Sequence, residues 1–217
     1  MEKIIERENL SNKLVTIISK RIISDELKSG ELIVESKISR EWGVSRSPVR
    51  DALHMLEKQG LLHRVPKGGY KVLELTPDYI ENFFDAANML YQYSFPKAVN
   101  HMTDEGKKRL LSIVDSIEKS AAQKEYDTYV DMVCSYAQTI LHMAKNPIIE
   151  KISHDVMPSA KRIQLAAIRL SPSHLQKACR YLRNSLISLQ KGQAFSAAKE
   201  FNSFANTSKN VLIKSYQ

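Results

Sequence analysis

Arg46, Arg50 and His54 recur every four residues, and on a helix that spacing lays all three side chains along one face. Their chemistry is recognition rather than bond-making. A guanidinium is a planar fork of donors that fits the paired acceptors on the edge of guanine, or two oxygens of one phosphate. Ser45 and Ser47 flank Arg46 with hydroxyls that can bond phosphate, and Ser36 and Lys37 offer the same kind of contact a short way upstream. Lys67 and Gly68 lie in Pro66-Lys67-Gly68-Gly69, a thin basic tip able to follow a polyanionic backbone. Residues 36–71 hold eight Lys and Arg against three acids, so the charge that would hold a polyanion is concentrated where these groups stand. The 217-residue chain carries a formal charge of +8, which favours nucleic acid or an anionic surface as partner.

Two helices, a tight turn and a hairpin are needed to position this set. Ser36 is read as the cap of a short helix reaching Trp42, and Gly43-Val44 as the turn. Ser45 then caps a second helix from Arg46 to Gln59, whose other face is the apolar stripe Val49, Ala52, Leu53 and Leu56. Gly60 stops it. Leu61–Val65 and Tyr70–Leu73 alternate like two strands around the glycine turn. Upstream, Leu10–Leu27 has helical periodicity, with Gly30 as a left-handed cap, and Leu32-Ile33-Val34 is a short apolar run.

The character changes after Leu75. Thr76-Pro77-Asp78 is a helix start, a capping residue followed by proline at the first helical position. Helical patterns then cover 77–101, 104–123, 126–145, 147–169, 173–191 and 194–215, with short breaks at Thr103-Asp104, Lys124-Glu125, Asn146-Pro147, Ser171-Pro172 and Gly192. The expected fold is mainly α: an N-terminal winged helix-turn-helix over residues 1–75 and a C-terminal antiparallel all-helical bundle over 76–217.

The segments Ser29-Gly30-Glu31-Leu32, Gly43-Val44-Ser45-Arg46-Ser47-Pro48-Val49-Arg50-Asp51-Ala52-Leu53, Gly60-Leu61-Leu62 and Gly68-Gly69-Tyr70-Lys71-Val72 resemble the GntR family of transcription regulators. The resemblance implies a winged helix-turn-helix with DNA-contacting positions at Ser36, Ser45, Arg46, Ser47, Arg50 and Gly68. The family often carries arginine where this chain has Ser36, a departure that Lys37 could offset. The helical half is similar to the FCD domains of the FadR/VanR branch, chiefly around Asn146-Pro147 and Gly192–Ala198. Such domains dimerise and enclose a small ligand, often a carboxylate, and many hold a divalent metal on one aspartate and three histidines.

Three of those metal positions fall near Ala137, Leu182 and Phe204, and none is histidine. His101, His142, His154 and His174 lie elsewhere, so no metal or other cofactor is expected. An arginine frequent on the first effector helix falls near Ala87 and an acid near Tyr91, while Asp85 and Asn88 remain as polar groups. The expected effector pocket is therefore metal-free and aromatic, with Asp85, Asn88, Tyr91, Tyr136 and Phe204 as its candidate residues, beside Tyr93 and Phe201. Cys134 and Cys179 are far apart in sequence and read as small buried apolar residues.

The function expected is that of a sequence-specific DNA-binding regulator, a repressor acting as a homodimer on palindromic double-stranded operator DNA under control of a small-molecule effector. One alternative keeps the DNA-binding dimer and makes the helical half a ligand-free scaffold. A remoter one is a helical-bundle enzyme with a DNA-binding head. It lacks sequence support: no paired Glu-x-x-His, phosphate loop, His-Glu-x-x-His motif or nucleophile elbow occurs. No apolar stretch approaches the roughly 18 residues of a membrane span, and the N-terminus has scattered charges instead of a signal-peptide core, so the expected location is cytoplasmic.

Overall fold

The computed structural model describes the backbone of residues 2–66 and 68–217, and side chains from Leu10 onward. It divides into two compact units. The first comprises residues 1–75 together with 155–162, and the second residues 76–154 with 163–217.

The first unit opens with α1 (Glu2–Ile23), β1 (Leu32–Ile33), α2 (Glu35–Glu41) and α3 (Arg46–Lys58), and closes with β2 (Leu62–Arg64) and β3 (Tyr70–Val72). α1 stops short of the Leu27 end that periodicity suggested. Asp25 turns left-handed (φ 63°), and the amides of Glu26 and Leu27 fold back onto the Arg21 carbonyl. Gly30 (φ 74°) does not cap this helix. Its amide donates to the Val72 carbonyl and steers the chain into β1. The short apolar run Leu32-Ile33, too brief to show any periodicity, is a strand. It pairs antiparallel with β3, giving sheet order β1-β3-β2. Leu14, Ile18 and Ile22 of α1 meet Val49, Ala52, Leu53 and Leu56 of α3, and Leu61, Leu62, Tyr70 and Val72 close this core.

The sequence reading gave residues 155–162 to the helical half, whereas they group with the first unit. They are the middle of α7 (Pro147–Leu170). Ser159 Oγ donates to the carbonyls of Gln59 (3.0 Å) and Gly60 (3.1 Å), which lie at the C-terminal end of α3. The buried Arg162 guanidinium donates to the Leu73 carbonyl and to Ser29 Oγ. Carbonyls that end a helix have no partner of their own in it, and Ser159 supplies hydrogen bonds there, while Arg162 bonds the chain where it leaves β3.

The second unit contains α4 (Pro77–Asn100), α5 (Asp104–Gln123), α6 (Tyr126–Met143), the two ends of α7, a 3-10 turn (Pro172–His174), α8 (Leu175–Gln190) and α9 (Ala194–Lys214). Thr76, Thr103 and Asn146 cap α4, α5 and α7 with side-chain oxygens that accept backbone amides. α8 and α9 form an antiparallel pair across the Gly192 turn; α5 packs on α6 and α8, and α4 on α6 and α9. Arg183 of α8 is clamped by Glu118 (2.6 Å) and Asp115 (2.6 Å) of α5. Burial of Phe95, Leu110, Ile117, Tyr129, Tyr136, Leu182 and Phe204 forms the core of this unit. Among the described residues no helix is long and apolar enough to cross a membrane.

Candidate nucleic-acid interface

α3 shows why the spacing of Arg46, Arg50 and His54 matters. Pro48, Val49, Ala52, Leu53 and Leu56 are buried, which fixes the rotation of the helix. Arg46, Arg50 and His54 are consequently exposed together on the opposite face. Ser39 Oγ donates to the Val44 carbonyl (2.6 Å) and the Val44 amide to the Ser39 carbonyl (3.1 Å), locking the turn between α2 and α3. Gly43 sits at φ 65°, a left-handed conformation that favours glycine.

Ser45 occupies the N-cap position of α3, but its side chain makes no capping bond. Its hydroxyl is exposed, next to backbone amides that have no helical acceptor, an arrangement suited to a phosphate. Ser47 is half-buried in the first turn. Ser36 does not cap α2 as expected. The helix starts at Glu35 with Val34 as its cap residue, because the chain leaves β1 extended and the Val34 carbonyl already accepts the Lys37 and Ile38 amides. Ser36 is thus a first-turn residue, half-buried beside the exposed Lys37.

A contact that the sequence reading missed is the one between Glu35 and Arg50. Arg50 Nε lies 3.2 and 3.3 Å from the two Glu35 carboxylate oxygens. The acid is shielded by its helix while the arginine remains well exposed, with side-chain exposures of 25% and 64%. His54 Nδ1 is 3.2 Å from Glu57 Oε2, one turn along α3. In the hairpin, the Gly68 amide donates to the Val65 carbonyl and the Val65 amide donates to the Gly69 carbonyl. Gly68 (φ 89°) faces open space, whereas a side chain at Gly69 would strike the Ile33 carbonyl. Lys67 lies outside the described residues.

The candidate effector residues divide in two. Tyr136 and Phe204 are buried, and Tyr91, Phe95, Tyr136 and Phe204 surround the Phe201 ring at centroid distances of 4.4–5.9 Å. Tyr136 donates its phenolic hydrogen to Ser185 Oγ (3.1 Å), and Ser185 donates to the Ala197 carbonyl (2.9 Å). Burial pushes the Tyr91 and Tyr136 phenols above their ordinary range, so both are neutral donors. Asp85 instead is exposed, 3.8 Å from Lys209 Nζ, and Asn88 accepts a long bond from Gln92 (3.5 Å). The structure does not bring Asp85 into the aromatic group. Tyr93 is exposed and accepts from Asn146 Nδ2 (3.4 Å).

The metal that FCD domains often hold does not fit these side chains. Ala137, Leu182 and Phe204 are buried and apolar at the three positions in question. Among the described residues no group of three or more His, Cys, Asp or Glu is placed to hold a metal ion.

Comparison with known proteins covers both units. Residues 10–72 match the model described as bacterial regulatory proteins, gntR family, and residues 84–201 match the FCD domain. The gluconate operon transcriptional repressor of Bacillus licheniformis is 26% identical over 168 residues, which are 77% of this chain and 69% of that protein. Its counterpart in Bacillus subtilis is 27% identical over 150 residues, 69% of this chain and 61% of that protein. The solved structure of E. coli McbR/YncC superposes with a TM-score of 0.81 at 15% identity, covering 96% of this chain and 99% of that one. At that identity the likeness shows the fold.

Proposed function

We propose, for a chain that belongs to the GntR family of bacterial regulatory proteins and carries that family's FCD domain, a specific division of labour. As a GntR transcription regulator it binds DNA through its first unit. In our reading α3 enters the major groove, with Arg46 and Arg50 reading base edges, His54 lying further along the groove, and Ser45 and Ser47 on phosphate. Lys37 and Ser36 meet the backbone from α2, and the Lys67-Gly68 tip follows it from the wing. The exposed Arg46–Arg50–His54 face, held by the apolar stripe behind it, is the observation that carries this assignment.

The finer reading is a cytoplasmic homodimeric repressor on a palindromic operator. Two-fold symmetry would set two heads about one helical turn of DNA apart. A small ligand that prefers one dimer geometry would change DNA affinity by the same free energy by which DNA changes ligand affinity. The repressor names of the Bacillus relatives support the sign of the response.

A second reading, in which the helical unit is a scaffold without a ligand, is favoured by one observation: aromatic rings pack on one another around Phe201, where the candidate pocket residues meet. Selecting bound fragments from genomic DNA with the purified protein, then measuring affinity for the selected site, tests the DNA reading. A shared inverted repeat bound by wild type, with loss of selectivity on Arg46→Ala and Arg50→Ala, is the expected result. Enrichment no better than random DNA would refute it.

A further inference from the structure

The helical unit has a polar cleft on the side of α6 away from its aromatic core. Val133, Tyr136, Ala137 and Ile140 of α6 are buried, while Ser135, Gln138 and His142 point the other way and form one wall. The end of α4, the first turns of α5 and α7, and Lys145 complete a cleft of about 570 Å³, a size that accommodates a small metabolite. Gly106 of α5 packs directly under the end of the Met143 side chain, whose Cε would lie 2.5 Å from a Cβ at that position.

Two cations line the cleft, Arg109 and Lys145, and neither has an ion-pair partner among the described residues. Lys145 is held in a left-handed conformation (φ 53°) between α6 and α7. The remaining lining groups are arranged to exchange hydrogen bonds. His101 Nδ1 is 2.9 Å from the Met143 carbonyl, which can only accept, so Nδ1 donates and the ring is fixed with Nε2 as its second hydrogen-bonding atom. His142 Nδ1 is 3.3 Å from Glu150 Oε2, which orients the second imidazole in the same way. Thr103 spends its oxygen on the Gly106 amide and keeps its hydroxyl hydrogen to donate. Glu105 and Gln138 add an acceptor and an amide. Free cations beside oriented acceptors suit a molecule with an acid group at one end and hydroxyls along its length.

We propose that this cleft binds a small hydroxylated acid, its carboxylate or phosphate held by Arg109 and Lys145 and its hydroxyls by Gln138, His142 and Glu150. It lies on the other face of α6 from Tyr136 and from Ala137, and so is separate from the aromatic cluster and from the family's metal positions. The proposal extends the ligand-control reading by naming a place and a ligand class. Titration without DNA tests it independently of any effect on operator binding.

The experiment is isothermal titration of the full chain with D-glycerate, 3-phosphoglycerate, inorganic phosphate and glycerol. The hydroxylated acids are expected to bind and glycerol is not. If glycerate binds as well as 3-phosphoglycerate, the carboxylate is the group held; if only 3-phosphoglycerate binds, it is the phosphate. Arg109→Ala should weaken binding roughly tenfold or more, the loss of one charge-assisted contact. Arg180→Ala removes the same charge from an exposed position on α8 and should leave binding unchanged. His142→Leu should weaken the hydroxylated acids while sparing inorganic phosphate. Equal losses in the two arginine variants, inorganic phosphate bound as tightly as the hydroxylated acids, or no binding of either acid at millimolar concentration would overturn the proposal.

Discussion

Arg50 Nε is held by the Glu35 carboxylate across the gap between α2 and α3, and its two terminal Nη groups are left without a partner among the described residues. A long, well-exposed side chain is thereby given one direction. The carboxylate takes the donor nearest the backbone and leaves the outer fork to meet an acceptor. Since an unrestrained arginine loses considerable rotamer freedom when it binds, the Glu35 contact would lower the entropic cost of the DNA contact proposed for Arg50.

Replacing Glu35 by glutamine should therefore act on selectivity. Operator affinity is expected to fall several-fold, while affinity for random DNA holds or rises because a negative charge has left the interface. Fluorescence anisotropy on both DNAs gives the ratio. A parallel change on the two would remove Glu35 from any part in recognition.

Arg50→Ala should cost about 1–3 kcal/mol of discrimination at one base pair of each half-site, with little change in melting temperature, since the side chain is exposed. Lys67→Ala should weaken all sequences alike and reduce the slope of log affinity against log salt by about one unit. A strongly sequence-dependent loss at Lys67 would contradict a backbone role for the wing tip.

The Tyr136–Ser185–Ala197 chain predicts an order of stabilities. Tyr136→Phe removes one buried bond and should cost about 1 kcal/mol. Ser185→Ala should cost more, because it strands the Tyr136 hydroxyl in the core. Urea unfolding of the two variants decides it; the reverse order would mean that the hydroxyl finds another partner.

Alkaline pH should destabilise the helical unit. Burial pushes the Cys179 thiol up to about 11 from its usual 9.0, and the nearby Glu118 adds to the rise. The folded state then keeps a proton that the unfolded chain releases, so this contribution is complete below pH 9 and disappears between about 9 and 11. Cys179→Ala should flatten the decline in that window. An unchanged profile would show that the buried tyrosines account for it.

Prolonged dialysis against EDTA should leave the melting temperature unchanged and the protein without stoichiometric metal on elemental analysis. A large drop would mean that other side chains have assembled a site in place of the apolar trio Ala137, Leu182 and Phe204.

The helices and their breaks were legible because their signals are local. Pro77 after Thr76, Pro147 after Asn146 and the apolar stripe of α3 each act within a few residues. β1 was not, since two residues carry no periodicity and its pairing partner in β3 lies far along the chain. The Ser36 cap was misread because serine is the better capping side chain, but the extended path out of β1 had already fixed the helix start at Glu35. The Glu35–Arg50 contact spans two helices and depends on the angle of the turn, which no spacing rule supplies. In the helical half, aromatic residues were visible as a set. Which of them face inward depends on α9 folding over α4 and α6, so Tyr136 and Phe204 joined the Phe201 cluster and Asp85 did not.

The first unit is discontinuous in sequence, since it takes residues 155–162 of α7 together with 1–75. A discontinuous unit is not a detachable cassette. A fragment ending at residue 75 would leave the carbonyls of Gln59, Gly60 and Leu73 without the Ser159 and Arg162 groups that bond them. Recombination at that seam, in a genome or at the bench, would break a matched set: a head transplanted onto another regulator's body loses these bonds unless the recipient helix brings equivalents of Ser159 and Arg162.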